Sequence, residues 1–171
     1  MKPRAASGKR KQLFYALLIL ALITVIALAA VYVNFSSALH AALNQSLDTF
    51  KLDRVEYPAV GPDAVDVNMT FVVENPSNLA VTVDAITLSF WIDDIDIGTV
   101  AVTFSQETLP GEASYFQLVR NVTDPTVLER LQNPTYTLRM VAQVRGSARH
   151  FFVEATVEKT IEAFPTVAGI G

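Results

Sequence analysis

Three neighbouring aspartates are the side chains best placed to do chemistry in this 171-residue chain, because adjacent carboxylates can bind calcium or transfer protons. They are Asp93, Asp94 and Asp96. Their spacing lacks the alternating acidic ligands, the glycine and the closing glutamate of an EF-hand loop. Asp93 and Asp94 also separate two runs of alternating apolar residues, a pattern typical of a tight hairpin turn. We therefore expect a turn here and no metal site.

The histidines and arginines give no pattern typical of catalysis. The chain has no G-x-S-x-G, H-E-x-x-H or phosphate-loop motif that would supply His150 with a nucleophile. Arg139, Arg145 and Arg149 could form a positive patch with His150, but the net charge of −9 after residue 33 argues against a nucleic-acid partner. Cysteine is absent, which excludes disulfides, thiol catalysis and thiolate metal sites. The sequence predicts a protein that is not an enzyme, with no catalytic residue and no cofactor.

Four of the seven asparagines begin an N-x-Ser/Thr triplet, the acceptor signal for N-linked glycans. They are Asn34, Asn44, Asn68 and Asn121. Chance supplies about one such triplet at this serine and threonine content. The excess favours a glycosylated domain outside the cell, while a chance triplet stays the alternative at each single site. Asn34 adjoins the apolar segment and is the poorest acceptor.

One segment concentrates the apolar character of a chain that is 51% hydrophobic. Residues 13–33 carry no charge, and at about 1.5 Å per residue they span roughly 30 Å as a helix, the thickness of a bilayer core. Five basic residues precede them: Lys2, Arg4, Lys9, Arg10 and Lys11. Because basic flanks stay on the cytoplasmic side, the sequence predicts a cytoplasmic tail (1–12), a single signal-anchor helix in the plasma membrane (13–33), and an extracytoplasmic remainder.

A cleaved signal peptide is the alternative interpretation of the same segment. Ala27-Leu28-Ala29 offers a small-x-small cleavage site after a basic region. The apolar run, however, is longer than the ~7–15 residues usual for a signal peptide. The length therefore favours a retained anchor.

Residues 34–50 continue the helical pattern beyond the apolar segment. Leu39, Leu43, Leu47 and Phe50 recur at helical spacing among polar residues. The pattern predicts an amphipathic stalk that extends the transmembrane helix. Its apolar stripe is expected to pack on the outer domain or on a second copy of the chain.

From Lys51 the apolar pattern changes to a period of two, which indicates strands. In the stretch VDVNMTFVV (65–73), apolar residues alternate with polar ones, the pattern of a strand with one buried face. Asp124-Pro125 is typical of an N-cap followed by the first helical residue, and predicts a short helix to about Gln132. The predicted strands are 52–57, 65–73, 79–92, 99–104, 113–122, 136–144 and 151–161, with a turn at 145–149.

About seven strands in roughly 110 residues, without regular helical crossovers, predict an all-β fold. Two antiparallel sheets packed as a β-sandwich are the economical arrangement, because each strand then buries its apolar face. The sandwich is expected to occupy residues 51–163, and residues 164–171 to form a C-terminal tail.

The stretch VVENPSNLAV interrupts this strand pattern. Pro76 has no backbone N–H and must end a ladder, while Asn75 before it can stay extended. Asparagine and proline suit the first two positions of a type I turn that Asn78 would close. The interruption therefore predicts a corner between strands, and leaves open whether its amides also contact a ligand.

The outer domain resembles a known family over about residues 50 to 163. The features that carry the resemblance are Asn75-Pro76-Ser77-Asn78 after a strand, Val83-Asp84-Ala85-Ile86, the hairpin ending Ile97-Gly98, Leu109-Pro110-Gly111 before a strand, and Phe152-Val153-Glu154-Ala155. It is similar to the water-stress and hypersensitive-response (WHy) domain of type 2 late-embryogenesis-abundant (LEA-2) proteins. One departure is Ser77, which stands where the family commonly has a second asparagine.

The resemblance implies an immunoglobulin-like or fibronectin-III-like sandwich and no catalytic residues. The family occurs in plants, bacteria and archaea, and an archaeal source is expected for this membrane-anchored form. An association with desiccation, stress or membrane surfaces is also implied.

Two functions remain open from the sequence. The first is a non-enzymatic, membrane-anchored extracytoplasmic module with a protective or binding role in stress. The alternative is a structural or accessory subunit of a surface assembly, such as an archaeal filament or envelope complex. Its partners would bind the stalk helix or an exposed edge strand, whose backbone groups can accept an added strand. In both cases residues 13–33 contact the lipid bilayer.

Overall fold

The computed structural model describes residues 6–170 of the chain. Lys2 and Arg4 of the predicted basic tail, and Gly171 of the predicted C-terminal tail, lie outside the described residues. The chain divides into two compact units, one ending at Ala38 and one beginning at Leu39. The second unit is called the domain below.

The first element is α1, a 42-residue helix from Ala6 to Leu47. No glycine or proline interrupts it after Gly8, and its sequence is rich in alanine and leucine, which favour helix. Its large apolar side chains from Leu13 to Val33 are exposed in the chain by itself. Within residues 6–170 it is the one helix long and apolar enough to cross a membrane. The helix continues past Val33 into the predicted stalk without a break.

The rest of the described chain is mostly β, with eight strands and a second, short helix. The strands are β1 Lys51–Val60, β2 Val65–Glu74, β3 Val81–Ile92, β4 Ile95–Thr108, β5 Ala113–Val122, β6 Thr135–His150, β7 Val153–Ala163 and β8 Thr166–Ala168. The short helix α2, Pro125–Leu131, lies between β5 and β6. One sheet has the order β1-β2-β5, and the other has the order β4-β3-β6-β7 with β8 added to β6. All of these pairings are antiparallel, as predicted.

The two sheets share one hydrophobic core. Val67 and Phe71 of β2 contribute to it from one sheet, and Leu88 and Phe90 of β3 from the other. Burial alternates along both strands, because successive side chains point to opposite faces. Phe50, just after α1, stacks on Phe71 with ring centroids 5.3 Å apart. The period of two in the sequence therefore reports the buried face correctly.

Two hairpin turns connect neighbouring strands of the larger sheet. Asp93 and Asp94 form the predicted turn, with φ values of 45° and 72° that aspartate tolerates better than most residues. The turn predicted at 145–149 is wrong, because β6 runs on to His150. The chain instead reverses at Phe151-Phe152.

Gly146 lies inside β6 for a packing reason. A Cβ at this position would lie 3.3 Å from Cδ2 of Leu47 and 3.4 Å from Cδ2 of Leu43. Leu39, Leu43 and Leu47 are all buried in the domain. Glycine thus allows the last turns of α1 to approach the strand closely, which the sequence pattern alone presents as a turn signal.

The C-terminal segment closes on α2 and β6. The strand β8 pairs with residues 135–137 at the start of β6. The Gly169 N–H donates to the Pro134 carbonyl at 3.1 Å, and the Ile170 N–H donates to the Leu131 carbonyl at 2.8 Å. A side chain on Gly169 would overlap the backbone oxygen of Asn133, so the approach requires glycine.

Candidate functional site

The asparagine of the predicted corner is buried and fully hydrogen-bonded. Asn75 is 1% exposed. Its Nδ2 donates to the carbonyls of Leu79 at 2.8 Å and Thr108 at 2.9 Å. Its Oδ1 accepts from the Ser77 N–H at 3.1 Å and lies 2.9 Å from the Ser46 hydroxyl. Both amide donors are therefore used inside the domain.

The backbone of Asn75 extends the same network to the proline-glycine turn. Its N–H donates to the Glu112 carbonyl at 2.9 Å, and its carbonyl accepts from the Gly111 N–H at 2.7 Å. One residue thereby joins the end of α1, the end of β2, the end of β4 and the turn before β5. We call Ser46, Asn75, Ser77 and Thr108 the corner network.

The corner carries the chain from β2 in one sheet to β3 in the other. It is closed by the bond from the Ser77 N–H to the Asn75 side chain, an Asx turn. Among the described residues no hydrogen bond from the Asn78 N–H to the Asn75 carbonyl closes the predicted type I turn, and that carbonyl accepts from the Gly111 N–H. The Ser77 hydroxyl lies 2.7 Å from Asn75 Oδ1 and accepts from the Leu79 N–H at 3.2 Å. Asn78 is exposed. The residue that departs from the family pattern thus contributes to the network.

The sequons occupy different surroundings. Asn34 is exposed on α1, outside the domain. Asn44 is also exposed, and its Nδ2 donates to the His40 carbonyl at 2.9 Å. Asn121 is exposed on β5 and donates to Asp66 Oδ1 at 2.7 Å.

Asn68 differs from the other three because it lies in the middle of the central strand β2. It pairs with Glu56 on one side and Val119 on the other. The residue is half-buried, and its Oδ1 is a buried atom with no hydrogen-bond partner among the described residues. A glycan at this position would have to leave from a face flanked by two strands.

A cavity lies at the end of the domain away from the corner network. It has a volume of about 460 Å³ and is lined by Asp96, Ile97, Gly98, Arg120, Asn121, Val122, Thr123, Asp124 and Val127. Asp96 Oδ1 accepts from the Gly98 N–H at 2.7 Å, and Arg120 donates to the Ile97 carbonyl at 3.1 Å. Asp124 caps α2 through the Thr126 N–H at 2.8 Å. These charged groups shape the backbone around an open, polar hollow that is large enough for a small polar ligand.

The three aspartates do not converge on one point. Asp93 Oδ1 accepts from the Thr137 N–H at 2.8 Å, Asp96 holds its own turn, and Asp94 is exposed. No group of three or more histidine or acidic side chains within the described residues is placed to hold a metal ion. The carboxylates at this hairpin serve the turn.

The predicted positive patch is divided along β6. The guanidinium of Arg139 lies over the Trp91 ring, 4.7 Å from its centroid. Arg145 and Arg149, further along β6, pair across the ladder with Glu158 and Glu154 of β7. The three arginines are therefore spread along β6, and Arg145 and Arg149 lie opposite glutamates of β7.

Two tyrosines connect the two sheets near the C-terminal segment. The hydroxyls of Tyr57 and Tyr136 are hydrogen-bonded, and the Tyr57 hydroxyl also donates to the Ala168 carbonyl at 3.0 Å. Burial raises the pKa of both phenols, and the Tyr57 hydroxyl raises the pKa of Tyr136 further. The pair stays protonated at physiological pH. Sequence reasoning missed it, because the partners are 79 positions apart.

Neither a family model nor a curated protein matches the chain. Among solved structures it is similar to a protein from Archaeoglobus fulgidus, at 10% identity and a TM-score of 0.42, over 68% of this chain and 98% of that one. A putative late embryogenesis abundant protein matches at 12% identity and 0.47, over 86% and 89%. A structural genomics target matches at 9% and 0.46, over 67% and 85%. All three of these TM-scores are below 0.5.

Proposed function

We propose that the chain is a non-enzymatic, membrane-anchored scaffold whose sandwich, of immunoglobulin or fibronectin-III type, is displayed outside the cell. The carrying observation is the exposed apolar stretch of α1 from Leu13 to Val33. Those side chains have no covering within the described chain, and a bilayer core would cover them at the matching thickness of about 30 Å. The basic residues before the stretch support a cytoplasmic N-terminus in the plasma membrane.

The scaffold role is supported by how the polar groups are used. In the corner network and at the aspartate hairpin, the polar side chains hold backbone in place. The cavity bounded by Asp96 and Arg120 has no nucleophile paired with a base among its lining residues. We therefore treat the domain as a scaffold that presents a surface for binding, and we assign no catalytic step to it.

We further propose a stress-related protective or binding role. The support is the resemblance to the WHy domain of LEA-2 proteins, whose asparagine-proline corner corresponds here to Asn75 and Pro76, and an archaeal source accords with it. The exposed acceptor triplets that begin at Asn44 and Asn121 accord with an extracytoplasmic site. A protective role predicts that added full-length protein in vesicles preserves a drying-sensitive enzyme better than empty vesicles do. Equal loss of enzyme activity in both samples would refute it.

One observation favours the alternative of a subunit in a surface assembly. Strand β5 pairs with β2 over ten consecutive residues without a bulge, and its other edge is the border of the three-stranded sheet. Tyr115 and Val119 are exposed along this strand. Such an edge can accept a strand from a partner. Cross-linking in native membranes would recover stoichiometric envelope subunits in that case, and only the chain itself otherwise.

Extraction of native membranes with alkaline carbonate tests the anchor. The protein should stay in the pellet, and a variant carrying Leu20→Arg and Ile23→Arg should move to the supernatant, since two charges at the bilayer centre oppose insertion. A variant with Leu109→Arg, a surface change in the domain, serves as the matched control and should stay in the pellet. Release of the unchanged protein into the supernatant would contradict the anchor.

A further inference from the structure

Two adjacent phenylalanines form the turn of the β6–β7 hairpin. Phe151 is 74% exposed and Phe152 is 64% exposed. Two-residue turns usually carry glycine, asparagine or aspartate, and Phe151 has a φ of 53°, which is disfavoured for a bulky residue. Phe151 contacts the His150 ring edge-on, with ring centroids 4.4 Å apart, and still exposes most of its surface. Exposed apolar residues at a strained position are a sign of interaction.

The hairpin projects beyond the rest of its sheet. The last pair between β3 and β6 is Thr82 with Ser147. Pairing between β6 and β7 continues for three more pairs, ending with His150 and Val153. At about 3.3 Å per residue the tip extends roughly 10 Å past β3. The two aromatic rings therefore lie at the far end of a paired, regular ribbon.

The projecting hairpin runs along the last turns of α1 within the domain. Leu47 belongs to the hydrophobic core that the two sheets share. Leu39, Leu43 and Ala148 are also buried but are not part of that core. Gly146 lies against both Leu47 and Leu43, and Ala148 comes two residues closer to the tip. Lys159, the register partner of Val144 on β7, is hydrogen-bonded to Asp48 just after α1, whereas Gly146 lies against Leu47 and Leu43. From Val144 to Gly146 the strand therefore follows α1 from its end back toward Leu39.

The covalent chain limits how far this end can be from the apolar segment. Leu39 belongs to the domain and follows Val33 by six residues. Six residues span about 9 Å as a helix and no more than about 22 Å when extended. The covalent link therefore keeps the Leu39 end of the domain within about 22 Å of the end of the apolar segment.

We propose that Phe151 and Phe152 insert into the headgroup region of the bilayer that residues 13–33 cross, as a second contact between the domain and the membrane. Aromatic rings favour this interface, where they are partly dehydrated. Arg149 is exposed beside the tip and can face lipid phosphates. A lipid partner is favoured over a second copy because the covalent anchor keeps the domain near lipid at any protein concentration. This inference rests on the proposed anchor.

Single-cysteine labelling tests the insertion, since the chain has no native cysteine. Phe152→Cys, Val60→Cys and Leu20→Cys are each labelled with the polarity-sensitive dye NBD in the full chain. Each is reconstituted in phosphatidylcholine–phosphatidylglycerol vesicles with or without nitroxide lipids. Val60 is the matched control, because it is 60% exposed at the β1–β2 turn, at the other end of β2 from the corner network.

Insertion predicts a blue-shifted emission at position 152 that nitroxide lipids quench, with position 60 unshifted and unquenched. Quenching at position 20 without quenching at 152 would overturn the insertion and leave the anchor intact. A blue shift at 152 without quenching would mean that protein covers the tip, and would also overturn it. Equal quenching at 60 and 152 would attribute the signal to the dye and refute the proposal. Absence of quenching at 20 would refute the anchor itself.

Discussion

Replacing Asn75 with alanine tests the corner network most severely. The change removes two donors from the carbonyls of Leu79 and Thr108 and the acceptor of the Ser77 N–H. At roughly 1 kcal/mol for each lost hydrogen bond, and more where a buried group is left unsatisfied, the expected loss is about 3 to 5 kcal/mol. A domain of this size has about 5 to 15 kcal/mol of stability, so the variant should unfold at much lower denaturant.

Urea unfolding of the full chain in detergent micelles measures this loss, with the single tryptophan, Trp91, reporting on the domain. Ser46→Ala should lose about 1 kcal/mol, because its hydroxyl has two acceptors within 2.9 Å and α1 keeps its backbone bonds. The control Asn78→Ala, at an exposed position, should stay within about 0.5 kcal/mol of the unchanged protein. The reasoning would be refuted if Asn75→Ala lost no more than Asn78→Ala. A folded Ser46→Ala variant keeps the test decisive if Asn75→Ala does not fold.

Three further changes test other parts of the fold. Because the pKa of Tyr136 is raised in the folded state, the contribution of this phenol to stability should be constant below pH ~10 and fall above it. Tyr136→Phe should flatten the fall of the urea midpoint above pH ~10, and an unchanged slope would refute the assignment. Gly169→Ala should displace β8 from Asn133 and lower the free energy of unfolding by about 1 to 3 kcal/mol. Hydrogen exchange in β8 should become faster, and unaltered exchange would contradict the close approach. Asp124→Ala should lower the free energy of unfolding by about 1 kcal/mol, because it removes the α2 cap. Asp124→Asn, which can still cap the helix, should have a urea midpoint close to that of the unchanged protein. Equal midpoints for the two variants would exclude capping.

Local patterns in the sequence were sufficient where neighbours along the chain decide the structure. The alternation from Val65 to Val73 identifies the buried face of β2. The Asp93-Asp94 turn follows from two polar residues between apolar runs. Asp124-Pro125 starts α2, with the aspartate accepting from the Thr126 N–H. In each case the signal and its physical cause lie within a few residues.

Contacts between residues that are far apart in the sequence explain the features that the sequence pattern did not predict. Gly146 and Ser147 give a turn signal, yet glycine is needed there because α1 packs against β6. The short strand β8 gives no pattern of its own, since it exists only through pairing with the start of β6.

The candidate site was predicted in part. The pattern predicted a corner at Asn75 but not its partners, because Ser46 and Thr108 are 29 and 33 positions away. A serine among the buried leucines of α1 was the one available hint, since a polar residue on an apolar face needs a partner. The turn at Phe151-Phe152 was not predicted, because the turn was wrongly assigned to residues 145–149.

The most direct measurement of the central claim is the accessibility of single cysteines in intact cells. Val60→Cys lies in the domain, and Ser7→Cys lies before the apolar segment. A membrane-impermeant maleimide should label position 60 in intact cells, and position 7 only after lysis. Labelling of position 7 in intact cells, or protection of position 60 until lysis, would contradict a membrane-anchored domain displayed outside the cell.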